Sequence, residues 1–489
     1  MKKSQLVFVP YPGMGHIGST TAFAKLLIKH NQHLSVTVLV IPPFDVSIDS
    51  FMKSMDTTSL SIPNCLSFIH LPPYPDPTNS QSLHRAAFID SVIEYQKPNI
   101  RDALSKLNSD PDSPPLAGLV VDMFTPTMID VAIDLKAPHF MFYASSAAFL
   151  GFVLHFHMLR EQDSLDTTVI NFKDSGLEFA IPFFENHVPA SVFPRVMSEK
   201  EWALYFFRNA GRMKRLSGII VNTFEELESQ AIQSLCNDNL TVYPIGPMLN
   251  IGEDVKKTNI PEGSKEVMNW LDDQPPSSVL LLCFGSKGYF DDENQVREIA
   301  RALVSSGVRF VWSLRRPPLK SLVSVESARD YSNQELEAVL PVGFLEQTAE
   351  IGRVMGWAPQ AQILAHKAVG GFVSHCGWNS ILESIYYGVP IATWPIYSEQ
   401  QFNAFEMVRE LKMSEEISLD YRIEYEESKK PRLINAERIE KGIKQVMQKE
   451  SEVRKKVKEM SEMSKRALME GGSSYSYLQR FIHDVLKCE

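Results

Sequence analysis

The chain has 489 residues, 44 % of them hydrophobic, which is enough to bury two sizeable cores and too much for one ordinary domain. Lys and Arg number 49 against 59 Asp and Glu, a formal charge of −10 with a pI near 5.7; an acidic chain without a long basic run argues against nucleic acid and against an anionic membrane surface. Five widely spaced cysteines, Cys65, Cys236, Cys283, Cys376 and Cys488, exclude a zinc ribbon or a dense disulfide framework and predict a reducing, cytoplasmic setting.

Leu6 to Val9 reads as a strand, too short for a signal peptide and closed by Pro10. A glycine-rich turn follows, and Phe23, Leu26 and Leu27 then recur at helical spacing. Val36 to Ile41 is a second strand, stopped by Pro42 and Pro43. Leu116 to Val121 is another, ending at Asp122, with Met128 to Leu135 helical behind it. Phe140 to Leu159 is strongly apolar, but Ser145, Ser146, His155 and His157 interrupt it. That predicts a buried strand and a buried helix, not a membrane span. Gly218 to Val221 continues the series. The pattern then restarts: Val279 to Phe284 as strand, Val296 to Leu303 as helix, then strands at Phe310 to Leu314, Arg353 to Gly356, Gly371 to Ser374 and Val389 to Trp394. Arg315 to Leu340 reads as a surface loop, and Glu437 to Lys487 as a charged helical tail broken at Gly471-Gly472-Ser473-Ser474.

Continuous apolar strands alternating with helices mean parallel sheets covered on both faces. The predicted organisation is two doubly wound α/β domains, 1–245 and 263–460, joined by a Pro- and Gly-bearing linker, 246–262, that begins just beyond Tyr243-Pro244. A final segment, 461–489, is expected to form a C-terminal helix. In such folds ligands bind outside the carboxyl ends of the strands.

Gly13-Met-Gly15-His16-Ile-Gly18 satisfies the dinucleotide pattern G-x-G-x-x-G between a strand and a helix. The acid that should end the second strand is missing, the nearest being Asp45 in a loop, so NAD binding and a dehydrogenase are disfavoured. His16 stands at the mouth of the first strand, where an imidazole suits a general base; a helix-capping role is the bland alternative. Asp122 ends a strand of the same sheet and could fix the tautomer of His16, or merely cap the following segment. Asp110-Pro-Asp112 matches the D-x-D of metal-dependent transferases, but its Pro-rich setting reads as a turn.

The most informative stretch runs from Trp357 through Ala358, Gln360, His375, Trp378, Asn379, Ser380 and Glu383 to Glu399 and Gln400. Gly371 to Ser374 as strand and Asn379 to Tyr387 as helix put free backbone N–H groups at an anion site, with His375, Asn379 and Ser380 as added donors. Trp357 could stack a base, and Glu383, one turn after Asn379, could accept hydroxyl hydrogen bonds. Taken singly, a core tryptophan or a solvated glutamate would explain each residue. The 44 residues from Trp357 to Gln400 resemble the signature box of plant family 1 UDP-sugar-dependent glycosyltransferases of secondary metabolism. Pro12-Gly-Met-Gly-His16, Asp122-Met-Phe124 and Phe284-Gly-Ser286 resemble further motifs of that family in the same order.

The resemblance implies the GT-B fold, two facing Rossmann-like domains with the nucleotide sugar in the second, the acceptor mainly in the first, and the C-terminal helix crossing back. It implies that Trp357 stacks on uracil, Ala358 pairs with its edge through the backbone, and Gln360 and Glu383 hold the ribose. His375, Asn379, Ser380 and Ser286 would bind diphosphate, and Trp378, Glu399 and Gln400 the sugar. His16 would be the base and Asp122 its partner. The donor would be UDP-glucose, with no metal and no further cofactor, in a monomeric enzyme acting on a small lipophilic hydroxyl acceptor. Three departures stand out: Ala144-Ser145 where the family usually has threonine near the sugar, Lys287 where an apolar residue is commoner, and Lys412-Met-Ser-Glu-Glu-Ile417 where glycines are frequent. Phe124, Phe149 and Phe152 are candidates for either an acceptor pocket or the core. A nucleotide-sugar binding protein without turnover is the rival from another class, and the His16–Asp122 pair argues against it.

Overall fold

Two parallel sheets organise the chain. The structure, a computed structural model, describes residues 3–42, 65–75, 85–163, 176–194, 197, 199–249, 262–318, 328–423 and 432–487. Asp45, Cys488 and most of the expected linker fall outside the described residues.

The first sheet has seven strands: β1 Ser4–Val9, β2 Leu34–Val40, β3 Leu66–His70, β4 Leu116–Asp122, β5 His139–Tyr143, β6 Gly218–Val221 and β7 Val242–Pro244. Their order is β3-β2-β1-β4-β5-β6-β7, and every pairing is parallel. The chain reverses direction across the sheet beside β1, which opens a crevice between the carboxyl ends of β1 and β4. The second sheet has six: β8 Val279–Cys283, β9 Arg309–Ser313, β10 Gly352–Met355, β11 Val369–Ser374, β12 Ile391–Thr393 and β13 Ser414–Glu416, in the order β10-β9-β8-β11-β12-β13 and again all parallel. The central strands are buried along their whole length, as their unbroken apolar runs require.

The sequence misses β3, β7 and β13. Each is short or carries polar residues, so apolar continuity does not mark it. The stretch 315–340 also departs from a simple loop. Arg315–Arg316 pairs with Arg329–Asp330 as an antiparallel ribbon, and Asn333–Val339 is a helix opened by a Ser332–Glu335 capping box. Phe149 and Phe152 are core residues at 3 % and 0 % exposure. They lie on the helix Ala147–Asp163, and no described helix is long and apolar enough to cross a membrane.

The tail divides. Helix Glu452–Leu468 packs on helix Trp378–Tyr387 of the second sheet's layer. After a turn with Gly471 at φ +84°, helix Ser473–Lys487 lies on the first sheet. Its Phe481 meets Phe140 at 5.1 Å and Tyr243 at 5.3 Å between ring centroids, and Tyr243 donates to Asp484 at 2.8 Å. The crossing therefore begins at the 469–472 turn and not at residue 461.

A second crossing is aromatic. Helix Gln400–Phe405 follows β12, yet Phe402 packs into the first domain at 4.8 Å from Phe152, 5.1 Å from Phe184 and 5.8 Å from Phe149. Burying such rings contributes a few kcal/mol each, so this short helix ties the two halves together.

Candidate active site

The end of β1 turns at Tyr11 to Gly13 and enters helix Met14–His30, so His16 stands in the first helical turn and not in the loop. A Cβ on Gly15 or Gly18 would meet nothing within 4 Å. The dinucleotide fingerprint needs its third glycine for close helix–strand packing, and Gly18 makes no such approach. His16 Nδ1 lies 2.8 Å from Asp122 Oδ2, and the other carboxylate oxygen accepts from Phe124 N at 2.9 Å. Thr125 Oγ1 accepts from the Asp122 amide at 2.9 Å and donates to Val9 O at 2.8 Å, which locks the β4 turn against β1. Asp122 is thus both a turn-former and the partner of His16.

With Nδ1–H donated to the carboxylate, Nε2 is the nitrogen left to take a proton. Burial pushes the His16 pKa down, but the charge and hydrogen bond of Asp122, aided by Glu399, more than offset it. The imidazole therefore stands above its ordinary value of 6.5. Its side chain keeps 27 % exposure while that of Asp122 keeps 1 %. Aromatic rings surround the imidazole: Tyr11 at 5.2 Å and Phe124 at 5.4 Å, with Phe206 5.8 Å beyond Phe124. The Tyr205 hydroxyl donates to Phe124 O at 2.6 Å and holds that ring's backbone. Of the three phenylalanines singled out in the sequence, only Phe124 lies beside the histidine.

Across the cleft, β11 ends at Ser374 and the helix Trp378–Tyr387 begins after His375-Cys376-Gly377. Its cap, Gly377, offers no side-chain hydrogen bond, so the first-turn amides remain open donors. Cys376 has φ 62°, a left-handed conformation uncommon for a side chain that size, in the middle of this loop. A Cβ on Gly285, itself at φ +79°, or on Gly377 would come within 2.6 Å of His375 Nε2, so both glycines make room for that ring. Burial pushes His375 down to about 4, and its Nδ1 has no partner. At neutral pH it is an uncharged imidazole, a hydrogen-bond donor and not a cation. Ser286 is exposed on the turn after β8.

Trp357 is 47 % exposed, an unusual position for an indole, while Ala358 behind it is buried. Asp330 on the ribbon accepts from Trp357 N at 2.9 Å, so the ribbon positions the indole. The Gln360 amide donates to Ser380 Oγ at 2.8 Å and to Glu383 Oε2 at 2.7 Å, joining three of the predicted residues in one network. Burial lifts Glu383 to about 7.

Two residues are engaged differently from the expectation. Trp378 is 3 % exposed and its indole N–H donates to Asn222 O at 2.7 Å, across to the first domain. Only its backbone faces the helix mouth. Gln400 Oε1 accepts from Ile396 N at 2.9 Å and Tyr397 N at 3.0 Å, which leaves its NH₂ as the free end. Ser398, at φ 63°, turns the chain so that Glu399 precedes the helix. Asn222, beyond the end of β6, was not singled out from the sequence. Its Nδ2 donates to Asn379 Oδ1 at 3.3 Å and its Oδ1 accepts from Met248 N at 2.8 Å. Asp110 Oδ1 and Oδ2 accept from Asp112 N and the Ser113 hydroxyl, the hydrogen bonds of a turn.

The family model described as UDP-glucoronosyl and UDP-glucosyl transferase matches residues 206–421. UDP-glucose flavonoid 3-O-glucosyltransferase 6 of Fragaria ananassa is 46 % identical over 492 residues, covering 99 % of both chains. UDP-glycosyltransferase 101 of Panax ginseng is 43 % identical over 99 % of this chain and 100 % of its own. Among solved structures, a Siraitia grosvenorii transferase in complex with UDP superposes with TM-score 0.83 at 44 % identity over 99 % of this chain and 100 % of its own. A Medicago truncatula UGT complexed with UDP-glucose superposes with TM-score 0.83 at 37 % identity, over 99 % of this chain and 98 % of its own. With relatives this similar along their whole length, two facing Rossmann-like sheets and the Trp357–Gln400 block in one cleft, the chain belongs to the plant family 1 UDP-sugar-dependent glycosyltransferases of GT-B fold.

Proposed function

We propose that this chain is a UDP-glucose-dependent O-glucosyltransferase that glucosylates a hydroxyl of a flavonoid-class plant metabolite with inversion. The observation that carries the mechanism is the His16–Asp122 contact at 2.8 Å, which leaves Nε2 as the free base. His16 takes the acceptor's proton as its oxygen attacks the anomeric carbon from the face opposite UDP, so an α-linked donor gives a β-glucoside. Asp122 stabilises the imidazolium that forms; base catalysis of this kind contributes about 10²- to 10⁴-fold. Tyr11, Phe124 and Phe206 give the acceptor an aromatic, apolar seat beside the base, which suits a phenolic ring.

Trp357 stacks on the uracil, with the Ala358 backbone at its edge and Gln360 and Glu383 on the ribose. The departing diphosphate meets the open amides at the start of helix 378–387, with Asn379, Ser380 and Ser286 beside them. His375 serves as a neutral hydrogen-bond donor to the negative charge that develops beside it. Glu399 and the NH₂ of Gln400 hold the sugar, and Trp378 contributes through its backbone. Transfer proceeds without a metal, since Asp110 and Asp112 serve a turn. The enzyme acts as a monomer in the cytoplasm.

Incubation with UDP-glucose and a flavonol, with and without EDTA, tests this reading. A β-glucoside by its anomeric coupling, formed equally in both, is expected. No product across flavonoid, monolignol and triterpenoid acceptors, or strict dependence on added manganese, would overturn it.

A further inference from the structure

Asn222 stands where the first domain hands the chain on toward the second. It follows β6, and its backbone N–H donates at 3.2 Å to the carbonyl of Tyr143, the last residue of β5. Past β7 the chain comes back to it: Ile245 N donates to Val221 O at 3.2 Å and Gly246 N to Thr223 O at 2.6 Å. A Cβ on Gly246 would come within 2.7 Å of Asn222 Oδ1, so a glycine lets this segment close around the side chain. Asn222 is 1 % exposed. Three hydrogen bonds tie it to what lies beyond the first sheet. Its carbonyl O accepts from the Trp378 indole N–H at 2.7 Å, its Oδ1 accepts from Met248 N at 2.8 Å, and its Nδ2 donates to Asn379 Oδ1 at 3.3 Å.

An asparagine amide has two ends of similar size, and only its partners decide which end faces where. Met248 N is a main-chain donor whose role cannot change, so the end of Asn222 that faces it is the oxygen. The end that faces Asn379 is then the NH₂, and it needs an oxygen opposite. That makes the NH₂ of Asn379 its outward end, on an exposed side chain in the first turn of helix 378–387, beside the open amides. We propose that Asn222 is a positioning residue for the diphosphate: a relay of fixed polarity, from Met248 N–H through Asn222 to Asn379, turns the NH₂ of Asn379 toward the anion. This rests on the reading of the start of helix 378–387 as the diphosphate site. With the relay intact a negative charge meets an N–H. With the relay reversed it meets an oxygen, which repels it. The Trp378 contact runs through the Asn222 backbone, so it survives a change of side chain and the two roles separate.

Calorimetry on the whole protein with UDP and with uridine tests the relay, because uridine lacks the diphosphate. Asn222→Ala should weaken UDP about three- to tenfold and uridine less than twofold. Asn222→Asp keeps an acceptor for Met248 N and stands in for the alanine variant if that one does not fold. Ionised at pH 8.5, it has no hydrogen to donate, so Asn379 turns its NH₂ inward and UDP should weaken at least as much. In an Asn379→Ala background the same substitutions should change UDP affinity less than twofold, because the relay has lost its end. If Asn379→Ala alone weakens UDP while the Asn222 variants bind it like wild type, the relay is overturned and the diphosphate reading stands. Equal losses for UDP and uridine, or additive losses in the double variants, would assign Asn222 to packing of the cleft and overturn the positioning role. If Asn379→Ala binds UDP like wild type, Asn379 is not at the diphosphate, and the relay falls with that reading.

Discussion

Glu383 carries a conflict between stability and binding that can be measured. It is partly buried on helix 378–387, its carboxyl lifted from the ordinary 4.5 to about 7 by burial, with Gln360 at 2.7 Å pulling the other way. At about 1.36 kcal/mol per pH unit, that rise disfavours the charged form by about 3 kcal/mol, and water reaching the group trims this to about 1–2 kcal/mol. The sign follows from the raised acid: the stability is present below pH 4.5 and is lost as pH rises through about 7. Glu383→Gln removes the penalty and keeps the shape. Its unliganded form should therefore melt about 1–2 °C above wild type at pH 8.5 and at the same temperature at pH 5. The same variant should bind UDP about tenfold more weakly by calorimetry, because an amide offers the ribose hydroxyls one acceptor oxygen and not two. A variant that is no more stable at pH 8.5, or that binds UDP as tightly as wild type, would refute the reasoning.

His16→Ala should lower kcat by at least about 10²-fold with UDP affinity intact, tested on an alcohol of ordinary acidity because a very acidic phenol ionises unaided. As the base must be unprotonated and its pKa is raised, the acid limb of kcat/KM should lie above 6.5, and Asp122→Asn should move it down while slowing turnover. Gln400→Glu keeps an oxygen for Ile396 N and Tyr397 N but loses the NH₂. UDP-glucose KM should rise about tenfold with UDP inhibition unchanged, and an unchanged KM would remove Gln400 from the sugar site. Phe402→Ala should cost about 3–5 kcal/mol in urea unfolding and raise hydrogen exchange in the first domain's 147–163 helix; a loss under about 1 kcal/mol would deny that this ring anchors the domains.

Parallel strands were legible because burial on both faces leaves an uninterrupted apolar run, as in Leu280-Leu-Leu282. The pairing of His16 with Asp122 was legible because Asp122 closes β4 while His16 follows the end of β1, and parallel strands bring their carboxyl ends to one edge. What the sequence hid is of another kind. Gln400 carries an amide whose two ends look equally available in one dimension, and only the fold shows its oxygen holding two backbone amides. Asp330 lies in a stretch without apolar period, so nothing announces that it supports Trp357.

The boundary between domains was hidden for a deeper reason. An apolar period states that a face is buried and is silent on what buries it. Phe402 and Phe405 follow a strand of the second sheet, so their chain position assigns them to the second domain, yet both belong to the aromatic core of the first. The same silence covers Asn222, whose amide and carbonyl reach Asn379 and Trp378 from the opposite half. Both crossings meet at the site itself. Asn222 holds the start of helix 378–387, and Phe402 holds the helix that begins with Gln400. The residues that tie the two halves of the cleft together are therefore those whose partners lie in the other half of the chain, where local sequence patterns carry no information.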